Sequence, residues 1–224
     1  MKVTYNVLSQ VSLATLAACA LLGSGQIQAA SAADNLIING SFESGTNLKD
    51  GSWGTYNSIT GWQATAGGKI EVQRGAAGKA YDGKNLVELD SHFYNPNIKT
   101  LGLFQDIKTT IGKTYDFSFA YSARPGVVAA DNIFQVLAGN VFKQTIEAGK
   151  GKSQTDWNIF STRFVANSDT TRIQFNDAGV RNTTLGAYID DVKAQAVPEP
   201  TAMLGLAIAG VGFAMRKKRQ PSEA

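Results

Sequence analysis

Cysteine is nearly missing from this 224-residue chain: the only one, Cys19, lies in an apolar stretch near the N-terminus. If that stretch is removed on export no thiol remains, and disulfides, zinc–thiolate sites and cysteine nucleophiles are excluded together. Histidine is as scarce, with His92 alone. It follows Asp90 and Ser91, but consecutive residues on a strand point to opposite faces, so the three cannot form a serine-hydrolase relay. A Gly-x-Ser-x-Gly elbow is absent too. Excess charge is a third absence. From Asp34 to Ala196 there are 16 cations and 16 anions, and the net +3 of the chain comes from Lys2, Arg216, Lys217, Lys218 and Arg219 set against Glu199 and Glu223. The basic footprint of a nucleic-acid binder is therefore missing. Gly112-Lys113-Thr114 and Gly151-Lys152-Ser153 echo a phosphate loop, but Ile107 and Ile146 stand where its first glycine would be. Last, no 3.6-residue apolar period runs through the middle of the chain.

What is present is β-rich. Tyr115, Phe117, Phe119 and Tyr121 alternate with Asp116, Ser118, Ala120 and Ser122, which sets four aromatics on one face of a central strand. Comparable runs are 36–39, 69–73, 86–90, 103–107, 133–137, 141–146, 158–165, 172–176 and 187–194. About ten short strands separated by turn residues predict an all-β, two-sheet jelly-roll sandwich. Trp62 and Trp157, beside strand starts, are expected in its core.

The two ends read as targeting. Lys2, the apolar run Val11–Leu22 and the small residues through Ala33 have the order of a secretory signal. Cleavage is expected after Ala32. The alternative is a lipobox, Leu16-Ala17-Ala18-Cys19, which would lipidate Cys19. At the other end Pro198-Glu199-Pro200 precedes an apolar run from Thr201 to Met215 and the basic Arg216-Lys217-Lys218-Arg219. Fifteen helical residues reach about 22 Å, short of the roughly 30 Å bilayer core. This end resembles the PEP-CTERM sorting signal of Gram-negative bacteria. The resemblance implies a transient inner-membrane intermediate, processing by an exosortase, and delivery to the cell surface or extracellular matrix; an ordinary tail anchor is the alternative. The chain thus divides into a signal (1–32), a sandwich domain (33–196), a sorting segment (197–219) and a tail (220–224).

Within the domain, Asn35-Leu36-Ile37-Ile38-Asn39-Gly40-Ser41-Phe42-Glu43 opens, Gly61-Trp62, Ile70-Glu71-Val72-Gln73 and Asp82-Gly83-Lys84-Asn85 follow, and Tyr188-Ile189-Asp190-Asp191-Val192 closes. In this order the motifs resemble galactose-binding-like jelly rolls, most closely the DUF642-like and choice-of-anchor exported proteins. By resemblance to calcium-bearing carbohydrate-binding modules, Glu43 and Asp190 match side-chain ligands of a structural calcium, and Ser41 and Asn85 match positions that offer carbonyls. The competing reading has Glu43 bonding a loop and Asp190 ending a strand. For a sugar, which needs aromatic platforms and fixed hydrogen-bonders, the candidates are Tyr81, His92, Tyr94, Arg124 and Asn132, with Trp53 and Tyr56 beside them. Arg124 offers a forked donor, with a structural ion pair as its alternative. Nothing selects two acids from Glu43, Glu71 and Glu88 as a glycosidase pair. A non-enzymatic, polysaccharide-binding module associated with exopolysaccharide or biofilm is the function expected; a purely structural surface protein is the main rival, and a glycoside hydrolase a minor one.

Overall fold

The computed structural model describes residues 34–65, 68–91, 101–180 and 184–198. The expected secretory segment, the sorting segment beyond Pro198, His92 and Tyr94 lie outside them. Twelve strands form among the described residues: β1 (Ser52–Tyr56), β2 (Ser58–Ile59), β3 (Trp62–Ala64), β4 (Ile70–Arg74), β5 (Leu86–Glu88), β6 (Gly102–Lys108), β7 (Thr114–Ser122), β8 (Ile133–Ala138), β9 (Phe142–Glu147), β10 (Asn158–Val165), β11 (Thr170–Asp177) and β12 (Tyr188–Ala196). They make two six-stranded sheets, ordered β1-β4-β5-β12-β7-β10 and β2-β3-β6-β11-β8-β9. Every pairing is antiparallel.

The aromatic strand, expected at the centre, is an interior strand next to the edge: β7 lies between β12 and the edge strand β10. Tyr115, Phe117 and Phe119 of β7 are buried between the sheets. Phe119 packs edge-on against Phe175 of β11 at 4.9 Å, and Trp62 lies against Phe42 at 5.4 Å. Tilted and edge-to-face contacts like these add to the area that such rings bury.

Two expectations are corrected. Residues 36–39 are not a strand: Asn39 takes φ +56° and the chain turns over 38–41. The opening motif is nonetheless clipped to the closing one. Leu36 N–H donates to Ala194 O, Ala194 N–H to Asn35 Oδ1 and Val192 N–H to Gly40 O. A side chain at position 40 would put Cβ 2.1 Å from Val192 O, so only glycine allows this approach. Trp157, expected in the core, sits at the surface instead: its ring stands edge-on to Tyr81 at 6.0 Å and its Nε1 donates to Lys79 O. β1 to β3 were not foreseen, because Ser52–Tyr56 is short and interrupted by Gly54.

Candidate functional site

In the first sheet the core face carries Ile70, Val72, Val87, Ile189 and the β7 aromatics. Strand alternation sends the residues between them to the other face. Register then aligns Thr55, Glu71, Glu88, Tyr188 and Ser122 in one row across β1, β4, β5, β12 and β7, with Trp53 opposite Gln73 in the next row. An outward row of polar residues would ordinarily be wet. Here Glu71, Gln73, Glu88, Tyr188 and Ser122 are all buried, because chain from elsewhere roofs the row. The β4–β5 connection lies so close over Tyr188 that a Cβ at Gly78 would be 2.9 Å from its ring. Gly186 N–H reaches down to Glu88 Oε1 at 2.8 Å.

These side chains form one connected network. Arg124 Nε donates to Tyr188 Oη at 3.0 Å, Tyr188 Oη donates to Gln73 Oε1 at 3.2 Å, and Gln73 Nε2 donates to Glu71 Oε1 at 3.0 Å and also to Glu88 Oε2. Arg124 pairs with Glu88 Oε1 at 3.2 Å. Burial, and next the neighbouring Glu71 carboxyl, push Glu88 up to about 10, against the opposing pull of Arg124 and the Gly186 amide. Tyr188 is raised as well, first by burial and then by Glu88. A cavity of about 280 Å³ opens above the network, lined by Trp53, Glu71, Gln73, Ala77, Arg124 and Leu185 among others. Trp53 is 44% exposed and forms an aromatic wall. Across the 75–80 segment a groove of about 460 Å³ runs past Asp50, Arg74, Lys79 and Lys84, where Arg74 is already paired with Asp50 at 2.6 Å.

Of the sequence-selected sugar contacts, Arg124 stands in this cavity. Tyr81, 48% exposed, pairs with Trp157 at the surface. Asn132 is fully buried: its Oδ1 accepts from Arg124 N–H at 2.8 Å and its Nδ2 donates to the carbonyls of Val127 and Val128. It shapes the turn that presents Arg124 and cannot itself reach a ligand. Glu71, Gln73 and Glu88 were not singled out as binders. Their alternation with Ile70, Val72 and Val87 is visible in the sequence, but the roof that buries them is not.

The residues expected around calcium do gather at one turn. Glu43 Oε1 accepts Lys84 N–H and Asn85 N–H at 2.7 and 2.6 Å; Asp190 Oδ2 accepts Tyr81 N–H and Asp82 N–H, and its Oδ1 accepts Asp191 N–H. Asn85 Nδ2 donates to Phe42 O, and Ser41 lies in the turn just before. Gly83, at φ +69°, leaves no room for a side chain, since a Cβ would lie 2.5 Å from Glu43 Oε1. The carboxylates therefore brace the 81–85 turn through backbone amides, which is the competing reading of Glu43 and Asp190. Burial lifts Asp190 to about 7 despite the amides it accepts. Among the described residues no group of three or more His, Cys, Asp or Glu is placed to hold a metal. The donors are nonetheless hard oxygens of the kind calcium takes, the less engaged oxygen of each carboxylate, Glu43 Oε2 and Asp190 Oδ1, keeps a further lone pair, and Asn85 Oδ1 is buried with no hydrogen-bond partner.

The model of the family described as "protein of unknown function (DUF642)" matches residues 35–195, nearly the whole sandwich. The chain belongs to the DUF642 family. The PEP-CTERM protein-sorting motif matches residues 196–219 of this DUF642 protein, which marks it as an exported protein handled by the exosortase system. The fold is similar to that of a Stig cyclase, FisC from Fischerella sp. TAU (16% identical, covering 75% of this chain and 99% of that one, TM-score 0.56). It is similar also to the CBM22-1 xylan-binding domain of Paenibacillus barcinonensis Xyn10C (20%, 76% and 99%, 0.45) and to TmCBM61 in complex with β-1,4-galactotriose (15%, 73% and 99%, 0.40).

Proposed function

We propose that this DUF642 domain is a non-enzymatic module that binds polysaccharide in the cavity beside Arg124. One observation carries the reading: a roofed row of planar hydrogen-bonders, locked together from Arg124 to Glu71, opens beside a half-exposed tryptophan. A sugar ring presents an apolar CH face for Trp53 and hydroxyls that need fixed partners such as Glu71, Gln73 and Arg124. Glycoside hydrolysis is disfavoured because it needs two carboxyls flanking the scissile bond. Here Glu88 is fully buried, and Gln73 draws both carboxyls to the same amide. Trp53→Ala should lose retention on a polysaccharide affinity gel and still melt close to wild type. Full retention by that variant would place the site elsewhere. No retention of wild type on any gel would favour the structural surface or matrix protein.

Calcium joins the proposal through Asn85 Oδ1, the buried acceptor that no protein donor meets. Glu43, Asp190, Asn85 and Ser41 would hold the ion, which would supply positive charge between the first and last motifs and no catalysis. A ligand bound only by the folded state adds stability as RT ln(1 + [L]/Kd), about 2.7 kcal/mol at a hundredfold excess over Kd. Identical melting in chelator and in millimolar calcium would remove the ion from the proposal.

For sorting, the reading is a cleaved signal at 1–32, transient inner-membrane holding by residues 201–215, and exosortase release at Pro198-Glu199-Pro200 to the surface or exopolysaccharide matrix of a Gram-negative cell. Mass spectrometry of the surface form should then find no peptide containing Arg216–Arg219. An intact tail there would favour the tail anchor.

A further inference from the structure

We propose that β10 is a self-pairing edge, through which two copies of this chain join their first sheets antiparallel about a two-fold axis at Thr162. The inference is independent of the carbohydrate-binding reading.

Among the described residues the sheets end in four edge strands, β1 and β10 in the first and β2 and β9 in the second. An exposed edge invites pairing with another chain, and short strands or charge ordinarily blunt it. β2 has two residues, β1 is interrupted by Gly54, and β9 carries the exposed Lys143 and Glu147. β10 has none of these defences. It runs eight residues with no proline or glycine, and its one charge, Arg163, is answered by Asp116 of β7 at 2.6 Å.

The open backbone groups of β10 follow from the pairing of β7. Val197 N–H, just past β12, donates to Thr114 O, so residue 114 and its alternates turn toward β12, while 115, 117, 119 and 121 turn toward β10. Ala166 N–H, donating to Lys113 O, keeps the same alternation. The residues opposite, Asn158, Phe160, Thr162 and Phe164, are therefore engaged with β7. Ile159, Ser161, Arg163 and Val165 point N–H and C=O outward, and no hydrogen bond from another described residue reaches these groups. Their side chains lie on the sheet face away from the core, where Ile159 and Val165 are each 53% exposed.

An antiparallel partner must set open groups against open groups and like faces side by side. A second copy centred on Thr162 does both. Ile159 then opposes Val165 of the partner subunit, Ser161 opposes Arg163 of the partner subunit, and the half-buried Phe160 opposes Phe164 of the partner subunit. Each outward N–H and C=O gains a partner, and the exposed aliphatics cover one another. Slipping by one residue each way is worse: one shift sets Ile159 against an arginine, and the other sets Arg163 against its own copy. The strand is thus complementary to itself in one register. Because the axis is normal to the sheet, both Arg124 cavities open on the same side of the joined sheet, as a bivalent binder requires.

The test is sedimentation equilibrium over a concentration series, on the protein as isolated from its cells. Wild type should be dimeric. Ile159→Lys and Val165→Glu should each weaken association roughly tenfold or more, since an opposed pair is lost twice about the axis. The double variant opposes Lys to Glu and should recover it. Thr162→Cys should oxidise to a covalent dimer above the wild-type background. Val165→Cys, whose two copies lie six residues apart along the strand, about 20 Å, should not. Monomeric wild type at every concentration overturns the inference. So does a dimer that Ile159→Lys leaves intact, that the double variant fails to restore, or that Thr162→Cys does not link. Wild type alone decides association, so a variant that fails to fold leaves the test standing.

Discussion

The two sheets each carry an arginine–carboxylate pair on the side away from the core, and the two pairs behave in opposite ways. On the second sheet Arg172 of β11 faces Asp106 of β6 in register, with Nε and Nη2 on the two carboxylate oxygens at 2.7 and 2.8 Å and the guanidinium 3.8 Å above the Phe104 ring. Its side chains are 48% and 42% exposed, and the Arg172 hydrogen bond holds Asp106 below the usual carboxylate range. On the first sheet Arg124 and Glu88 are 17% and 0% exposed, and Glu88 is raised despite its arginine. By geometry the exposed pair is the better one. The difference teaches that the partner does not decide the state of the carboxylate. Water does: where loops exclude it, burial and a second carboxyl outweigh one guanidinium.

Four measurements would break or sharpen this contrast. The largest effect is expected on the face that both sheets share. Phe119→Ala removes a ring packed against Phe117, Phe160 and Phe175 and should cost about 3–5 kcal/mol in denaturant unfolding. Next comes Arg124→Ala. Glu88 can hold a proton, so no bare charge is stranded, and the loss is that of buried partners left unmatched, about 1–3 kcal/mol. A cost within experimental error would mean that the network is not held by Arg124.

The third measurement is the pH dependence. Glu88 has a folded value raised from 4.5 to about 10, so between those values the folded state binds more protons than the unfolded. Its stabilising contribution is fully present below 4.5 and is lost as pH rises toward and through about 10. Asp106 has the opposite sign: its contribution is present above 3.8 and fades on acidification. Unfolding curves from about pH 5 to 9 should therefore show stability falling with pH by a slope that Glu88→Gln reduces. An unchanged slope in that variant would assign the proton to another group, such as Asp177, which burial and the Asp90 charge lift to about 7. The smallest effect is expected for Arg172→Ala, about 0–1 kcal/mol and weaker in high salt, as for other solvated pairs. A cost as large as that of Arg124→Ala would erase the distinction between the two faces.

Much of the fold could be read from residue order. The alternation in Tyr115–Ser122 named the aromatic strand β7, 158–165 coincides with β10, and the opening and closing motifs meet through backbone bonds at Leu36 and Gly40 and through the Asn35 side chain. The weakly apolar β1 was missed. The site was legible only in part. Arg124 stood out as a forked donor after an aromatic strand, whereas Asn132 looked like a binder and turned out to shape the turn that carries it.

The sequence by itself determined the class of the domain, the face on which each strand residue falls, and the sorting character of the C-terminal end. Those features follow from a period of two and from local composition, which need no partner. Only the tertiary structure decided that Glu71, Gln73, Glu88 and Tyr188 form a site. Strand periodicity places them away from the core, but whether that side is wet or dry depends on chain brought from residues 75–80, 124 and 184–187. Burial is a property of the assembled surface, and the same Glu and Arg chemistry is a solvated pair on one sheet and a proton-holding network on the other.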